Sequence, residues 1–127
     1  MIKIAIVDDH KILRDGIKVS LLGNDDINLV FDCSSAEDFL AVYKDYNPDI
    51  FILDMSLPDM KGDELTKKLI ATDPEAKILI LSSLTDENSI IKAIKNGAKG
   101  YLSKDVGNDE LLKAINSVFK VEAYFGG

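Results

Sequence analysis

Lys3-Ile4-Ala5-Ile6-Val7-Asp8-Asp9 runs apolar for four residues and then stops on two carboxylates. Asp49-Ile50-Phe51-Ile52-Leu53-Asp54 does the same and ends on a third. Lys77-Ile78-Leu79-Ile80-Leu81 ends at Ser82, and Gly100-Tyr101-Leu102-Ser103 ends at Lys104. Short apolar runs closed by a charge read as buried strands of a parallel sheet, because a strand covered on both faces has no polar side to alternate. The charges then share the carboxyl edge of the sheet, where open α/β sheets bind their ligands. Three acids gathered there repel one another, and a divalent cation with a nearby ammonium relieves the repulsion.

Between these strands lie helical patterns. Ile12, Leu13, Ile17 and Leu21 fall at helical spacing ahead of Gly23, which reads as a stop. A second strand over about Asn28 to Cys33 is followed by a helix carrying Phe39, Leu40 and Tyr43, capped by Ser34 or Ser35 and ended by Asn47-Pro48. A third helix runs from Gly62 to Thr72 with Leu65, Leu69 and Ile70 inward. Thr85 or Asp86 caps a fourth, and its Ile90, Ile91 and Ile94 exceed one narrow stripe, with at least two expected in the core. Asn96-Gly97 ends that helix as a left-handed cap. A fifth helix carries Leu111, Leu112, Ile115, Val118 and Phe119 behind an Asn108 or Asp109 cap. Five alternations predict an α/β fold, a doubly wound, flavodoxin-like five-stranded parallel sheet of order 2-1-3-4-5 with five helices. In that order the first and third strands are neighbours, so Asp8, Asp9 and Asp54 meet at the switch point.

The 127 residues fit one domain, and 46% apolar with 29% charged is an ordinary globular balance. A net charge of −7 argues against a direct grip on nucleic acid, since phosphate contacts need surplus Lys and Arg. The apolar runs are far too short for a membrane span. Met1-Ile2-Lys3 leads straight into a strand rather than a signal peptide, and the single cysteine, Cys33, suits a reducing cytoplasm. Cys33 reads as a packed thiol rather than a reactive one.

The edge therefore presents acids, a hydroxyl and an ammonium. An aspartate there can attack a phosphoryl group and hold it as an acyl phosphate, given in-line positioning and neutralisation of the phosphoryl oxygens. Val7-Asp8-Asp9-His10, Asp54-Met55-Ser56-Leu57-Pro58-Asp59-Met60-Lys61-Gly62, Leu81-Ser82-Ser83 and Gly97-Ala98-Lys99-Gly100-Tyr101-Leu102-Ser103-Lys104 occur in order. With them the chain, from about Met1 to Val121, resembles the receiver domain of a bacterial two-component response regulator. The resemblance implies Asp54 as phosphoacceptor, and Asp8 and Asp9 as holders of Mg²⁺ (or Mn²⁺) together with Asp54 and the backbone carbonyl of Ser56. It implies Ser82 and Lys104 as contacts to phosphoryl oxygens, and Tyr101 as an aromatic switch coupled to Ser82. The implied donor is a phosphohistidine on a sensor histidine kinase, and the chain itself is expected to be no enzyme beyond its own phosphorylation and dephosphorylation.

Asp8-Asp9-His10 followed by Ile12-Leu13-Arg14-Asp15-Gly16-Ile17, and the Gly97 to Asp105 segment, resemble the NarL/FixJ-type regulators with a LuxR-type helix-turn-helix. That implies transcriptional output through a C-terminal helix-turn-helix domain. Residues 1–122 are read as the receiver and 123–127 as the start of a linker or the cut end of an excised domain, with a homodimer, or a stand-alone receiver acting by protein–protein interaction or phosphorelay, as further expectations. Many receivers place proline after the lysine; here Asp105 follows, and the peptide is open to either isomer. Two rival readings lose ground. A haloacid-dehalogenase-type phosphatase wants an acid where Ser56 stands, and a flavodoxin-like module would have its flavin phosphate repelled by Asp8 and Asp9. His10 reads as a surface residue of the first helix rather than a metal or phosphotransfer group, Asp59 as a loop acid and Asp63 as a helix-start acid favoured by the dipole. The resemblance also implies that Ser56 and Leu84 flank the path of attacking water, and a leucine there predicts slow to moderate self-dephosphorylation.

Overall fold

The computed structural model describes residues 1–83 and 87–120, and the backbone of 124–126. Strands β1 (Ile2–Val7), β2 (Ile27–Cys33), β3 (Ile50–Asp54), β4 (Lys77–Ser82) and β5 (Gly100–Ser103) alternate with helices α1 (Lys11–Ser20), α2 (Ala36–Tyr46), α3 (Gly62–Thr72), α4 (Glu87–Lys95) and α5 (Asn108–Phe119). The predicted order β2-β1-β3-β4-β5 is observed, every pairing parallel. A short β6 (Tyr124–Gly126) extends the sheet beyond β5, so the described residues form six strands rather than five, and the stretch read as a linker includes a paired strand.

The central strands explain the order. All five residues of β3 are buried, as are the last four of β1 and the last five of β4. One face carries an aliphatic core of Ile4, Ile6, Ile52, Leu79, Leu102, Ile115 and Val118 under α1 and α5. The other packs Ala5, Val7, Phe51, Leu53, Ile78 and Ile80 against α2, α3 and α4. There the ring of Phe39 stacks on Tyr43 at 4.9 Å and meets Phe51 edge-on at 5.7 Å, which anchors α2 to the sheet.

The caps follow the local chemistry. Ser35 Oγ accepts the Asp38 N–H at 3.2 Å and opens α2, while Asn47, at φ 47°, closes it before Pro48. Gly97, at φ +106°, ends α4 as expected. Three expectations are corrected. Ile12, which the spacing groups with Leu13, Ile17 and Leu21, is exposed, whereas those three pack on the aliphatic core. Of the three α4 isoleucines only Ile90 packs on the core; Ile91 and Ile94 are exposed, and the fully buried residue of α4 is Ala93. Gly107 rather than Asn108 or Asp109 stands at the start of α5, which has no side-chain cap. Thr85 and Asp86 lie outside the described residues.

Candidate functional site

Parallel registration brings the strand ends to one edge. Val7 of β1 lies beside Leu53 of β3, Asp54 beside Leu81 of β4, and Ser82 beside Ser103 of β5. Asp8 follows β1 directly, Asp54 ends β3, and Lys104 follows β5 with its N–H donated to the Ser82 carbonyl at 2.9 Å. The topology thus gathers the acids, the hydroxyl-bearing residue and the lysine, as the sequence predicts.

Asp8 and Asp54 are buried at 1% and 2% exposure, and Asp9 sits at the rim. Lys104 Nζ spans the two buried acids, 3.0 Å from Asp8 Oδ2 and 3.0 Å from Asp54 Oδ1. The Ser56 N–H also donates to Asp54 Oδ1, at 3.0 Å. Asp54 Oδ2 is buried and accepts no hydrogen bond among the described residues. Desolvation raises the Asp54 carboxyl above its ordinary value; the Ser56 N–H and Lys104 pull the other way, and Asp8 adds to the rise. The ordinary remedy for such an orphaned, crowded carboxylate is a bound cation.

The residues after Asp54 are folded tightly back. Ser56 pairs with Lys61, and the Gly62 N–H donates to the Met55 carbonyl at 2.7 Å. A Cβ on Gly62 would lie 2.4 Å from the Asp54 carbonyl oxygen and 2.7 Å from Met55 Cα. Glycine at 62 therefore lets α3 start against the backbone of the acid itself. Asp59 lies in the loop as expected and accepts the N–H groups of Ala36 and Glu37 at 3.0 and 2.9 Å, which depresses its carboxyl value and ties the loop to the start of α2. A contact spanning 23 residues has no signal in local sequence.

Ser82 and Tyr101 are both buried, and Tyr101 belongs to the apolar cluster that also contains Ile80, Ala98 and Ala93 of α4. Leu84 lies outside the described residues. The described peptide bonds are trans, Lys104-Asp105 included. Cys33 is half-buried and its thiol is pushed up to about 11, first by desolvation, which agrees with a packed rather than reactive role. His10 is the main revision. It is exposed, as a surface residue should be, yet its Nδ1 lies 2.9 Å from Asp8 Oδ1, 3.3 Å from Asp9 Oδ1 and 3.1 Å from Lys104 Nζ. The sequence places it one residue past the acids; in the fold its own N–H donates to Asp8 Oδ1 at 2.8 Å and its Nδ1 is in hydrogen-bond contact with the same oxygen at 2.9 Å, which holds the ring over them.

A doubly wound parallel sheet carries an acidic pocket at its switch point, with a lysine placed just past β5. The chain belongs to the response regulator receiver domain family, which matches residues 4–116. It is 36% identical over 123 residues to the transcriptional regulatory protein DegU of Brevibacillus brevis, covering 97% of this chain and 52% of that protein. It is 35% identical to the oxygen regulatory protein NreC of Staphylococcus aureus, covering 96% of this chain and 57% of NreC. The chain thus spans about half the length of these curated relatives. Among solved structures it is similar to a LuxR-family two-component response regulator from Aurantimonas, with a TM-score of 0.90 and 30% identity over 96% of this chain and 87% of that one. No helix among the described residues is long and apolar enough to cross a membrane.

Proposed function

We propose that this receiver is a phosphorylation-dependent switch that takes a phosphoryl group onto Asp54 from a phosphohistidine of a sensor histidine kinase. The observation that carries the reading is one lysine bridging two buried aspartates, one of which keeps an unpartnered oxygen at a sheet edge. A carboxylate oxygen of Asp54 attacks phosphorus in line; the P–N bond breaks, the imidazole leaves, and an acyl phosphate remains. Asp8, Asp9, Asp54 and the Ser56 carbonyl would hold Mg²⁺ or Mn²⁺. Such an ion supplies neutralisation of the phosphoryl oxygens. Lys104 moves from the carboxylate to a phosphoryl oxygen, and the Ser82 hydroxyl meets another.

Phosphorylation adds close to two negative charges in place of one. The Ser82 response is passed to Tyr101, which shares an apolar cluster with Ala93 of α4, so the face formed by α4, β5 and α5 is re-biased. The output is control of transcription through a C-terminal helix-turn-helix domain of a longer protein, supported by relatives about twice as long and regulatory in name. The domain itself neither turns over a substrate nor touches nucleic acid, and the cytoplasm is its place of work. Intact mass spectrometry after acetyl phosphate with Mg²⁺ tests the reading. The chain is expected to gain one phosphoryl mass and Asp54→Asn none; an unmodified wild type, or equal labelling of the variant, refutes it.

A further inference from the structure

The cation pocket has a nitrogen that the receiver pattern does not require. We infer that His10 Nδ1 is a fourth side-chain ligand of the cation, so that this pocket holds first-row transition cations in clear preference to Mg²⁺. The inference rests on the receiver reading and refines its metal site.

Geometry carries it. One ligand atom each from Asp8, Asp9, His10 and Asp54 can be chosen so that all lie within 4.8 Å of one another. His10 Nδ1 is 2.9 Å from Asp8 Oδ1, 3.3 Å from Asp9 Oδ1 and 3.9 Å from Asp54 Oδ2. Ligands about 2.1 Å from an octahedral ion stand about 3 Å apart when adjacent and about 4 Å apart when opposite. The three separations from His10 Nδ1 fall on that scale. A second, independent observation points to the same ion: Asp54 Oδ2, on a residue 2% exposed, is buried without a hydrogen-bond donor and belongs to this group.

The imidazole is also held in place. The His10 N–H donates to Asp8 Oδ1 at 2.8 Å, which fixes the backbone from which the ring projects. Nδ1 then lies among two carboxylate oxygens and the Lys104 ammonium. Nδ1 is in hydrogen-bond contact with Asp8 Oδ1 at 2.9 Å and with Lys104 Nζ at 3.1 Å; a cation that enters between the carboxylates displaces the ammonium, and the ring with its proton on Nε2 then offers the Nδ1 lone pair to it. Three carboxylates alone make a hard oxygen site suited to Mg²⁺ and Mn²⁺. An added imidazole favours Mn²⁺, Co²⁺ and Ni²⁺, with Ni²⁺ gaining most.

The chain has one histidine, so an imidazole nitrogen signal from tag-free protein belongs to His10. Electron spin echo modulation of the Mn²⁺-loaded 127-residue chain is expected to show a directly bound imidazole nitrogen, lost in His10→Ala. Competition titrations are expected to show Co²⁺ and Ni²⁺ affinity falling about tenfold or more in His10→Ala, at least the loss that disturbing an outer-sphere partner causes. Mg²⁺ affinity should change far less. Absence of the nitrogen coupling overturns the inference. So does a His10→Ala variant that binds all of these ions as well or better, which would make the ring a plug in the cation seat. Phosphoryl mass gain of the wild type with Mg²⁺ reports on the receiver reading separately, so either reading can fail while the other stands.

Discussion

Ile52 and Asp54 lie two residues apart on β3 and are equally withdrawn from water, at 0% and 2% exposure. Burial does opposite things to them. Ile52 joins the aliphatic core beneath α1 and α5, where removal from water and close packing both stabilise the fold. Asp54 loses its hydration and recovers only part of it from Ser56 and Lys104. The strand interior therefore supplies the rigidity that its tip uses to hold a carboxylate where it is least comfortable. A charge in that condition responds strongly to a cation or to a phosphoryl group.

The contrast can be broken at its stable end first. Ile52→Ala is expected to cost about 2–5 kcal/mol in denaturant unfolding, since the central strand is packed on both faces and the cavity cannot collapse easily. A loss under about 1 kcal/mol would show that β3 is not the rigid element argued here. At the tip the sign should reverse. The Asp54 carboxyl is held above its ordinary value, so the folded chain binds that proton more tightly than the unfolded chain does. Its contribution is present at low pH and is lost as pH rises from the ordinary carboxylate range through the raised folded value. Asp54→Asn should raise the melting temperature at neutral pH without metal and flatten the fall in stability over that window. A lower melting temperature would mean that the Lys104 contact outweighs desolvation. The smallest effect belongs to the rim. Asp59→Ala removes two N–H acceptors at the start of α2 and should cost about 0.3–1 kcal/mol, less in high salt. Hydrogen exchange at Ala36 and Glu37 should speed up selectively.

Much of this was legible. Continuous apolar runs ending on charges gave the strands and their polarity, because a strand buried on both faces has a one-dimensional signature. Asp8, Asp54, Ser82 and Lys104 were then placed by the sheet order alone. Ile12 and the exposed pair Ile91 and Ile94 misled because helical spacing records which residues share a stripe, not where the neighbouring sheet stops. β6 is three residues long and offers no periodicity, so only its pairing with β5 reveals it. Asp59 reaches α2 across a gap that only the folded chain closes.

His10 marks the boundary most clearly. By itself the sequence determined that acids, hydroxyl and ammonium share one edge, because strand period and parallel order are set by local hydrophobicity. It also determined membership of the receiver family, since the four motifs occur in order. Only the tertiary structure decided that an exposed residue at the start of α1 turns its imidazole over the acids. That direction depends on a backbone hydrogen bond to Asp8 and on Lys104 arriving from 94 residues away. Residue spacing encodes neither contact, because both are made in space and not along the chain.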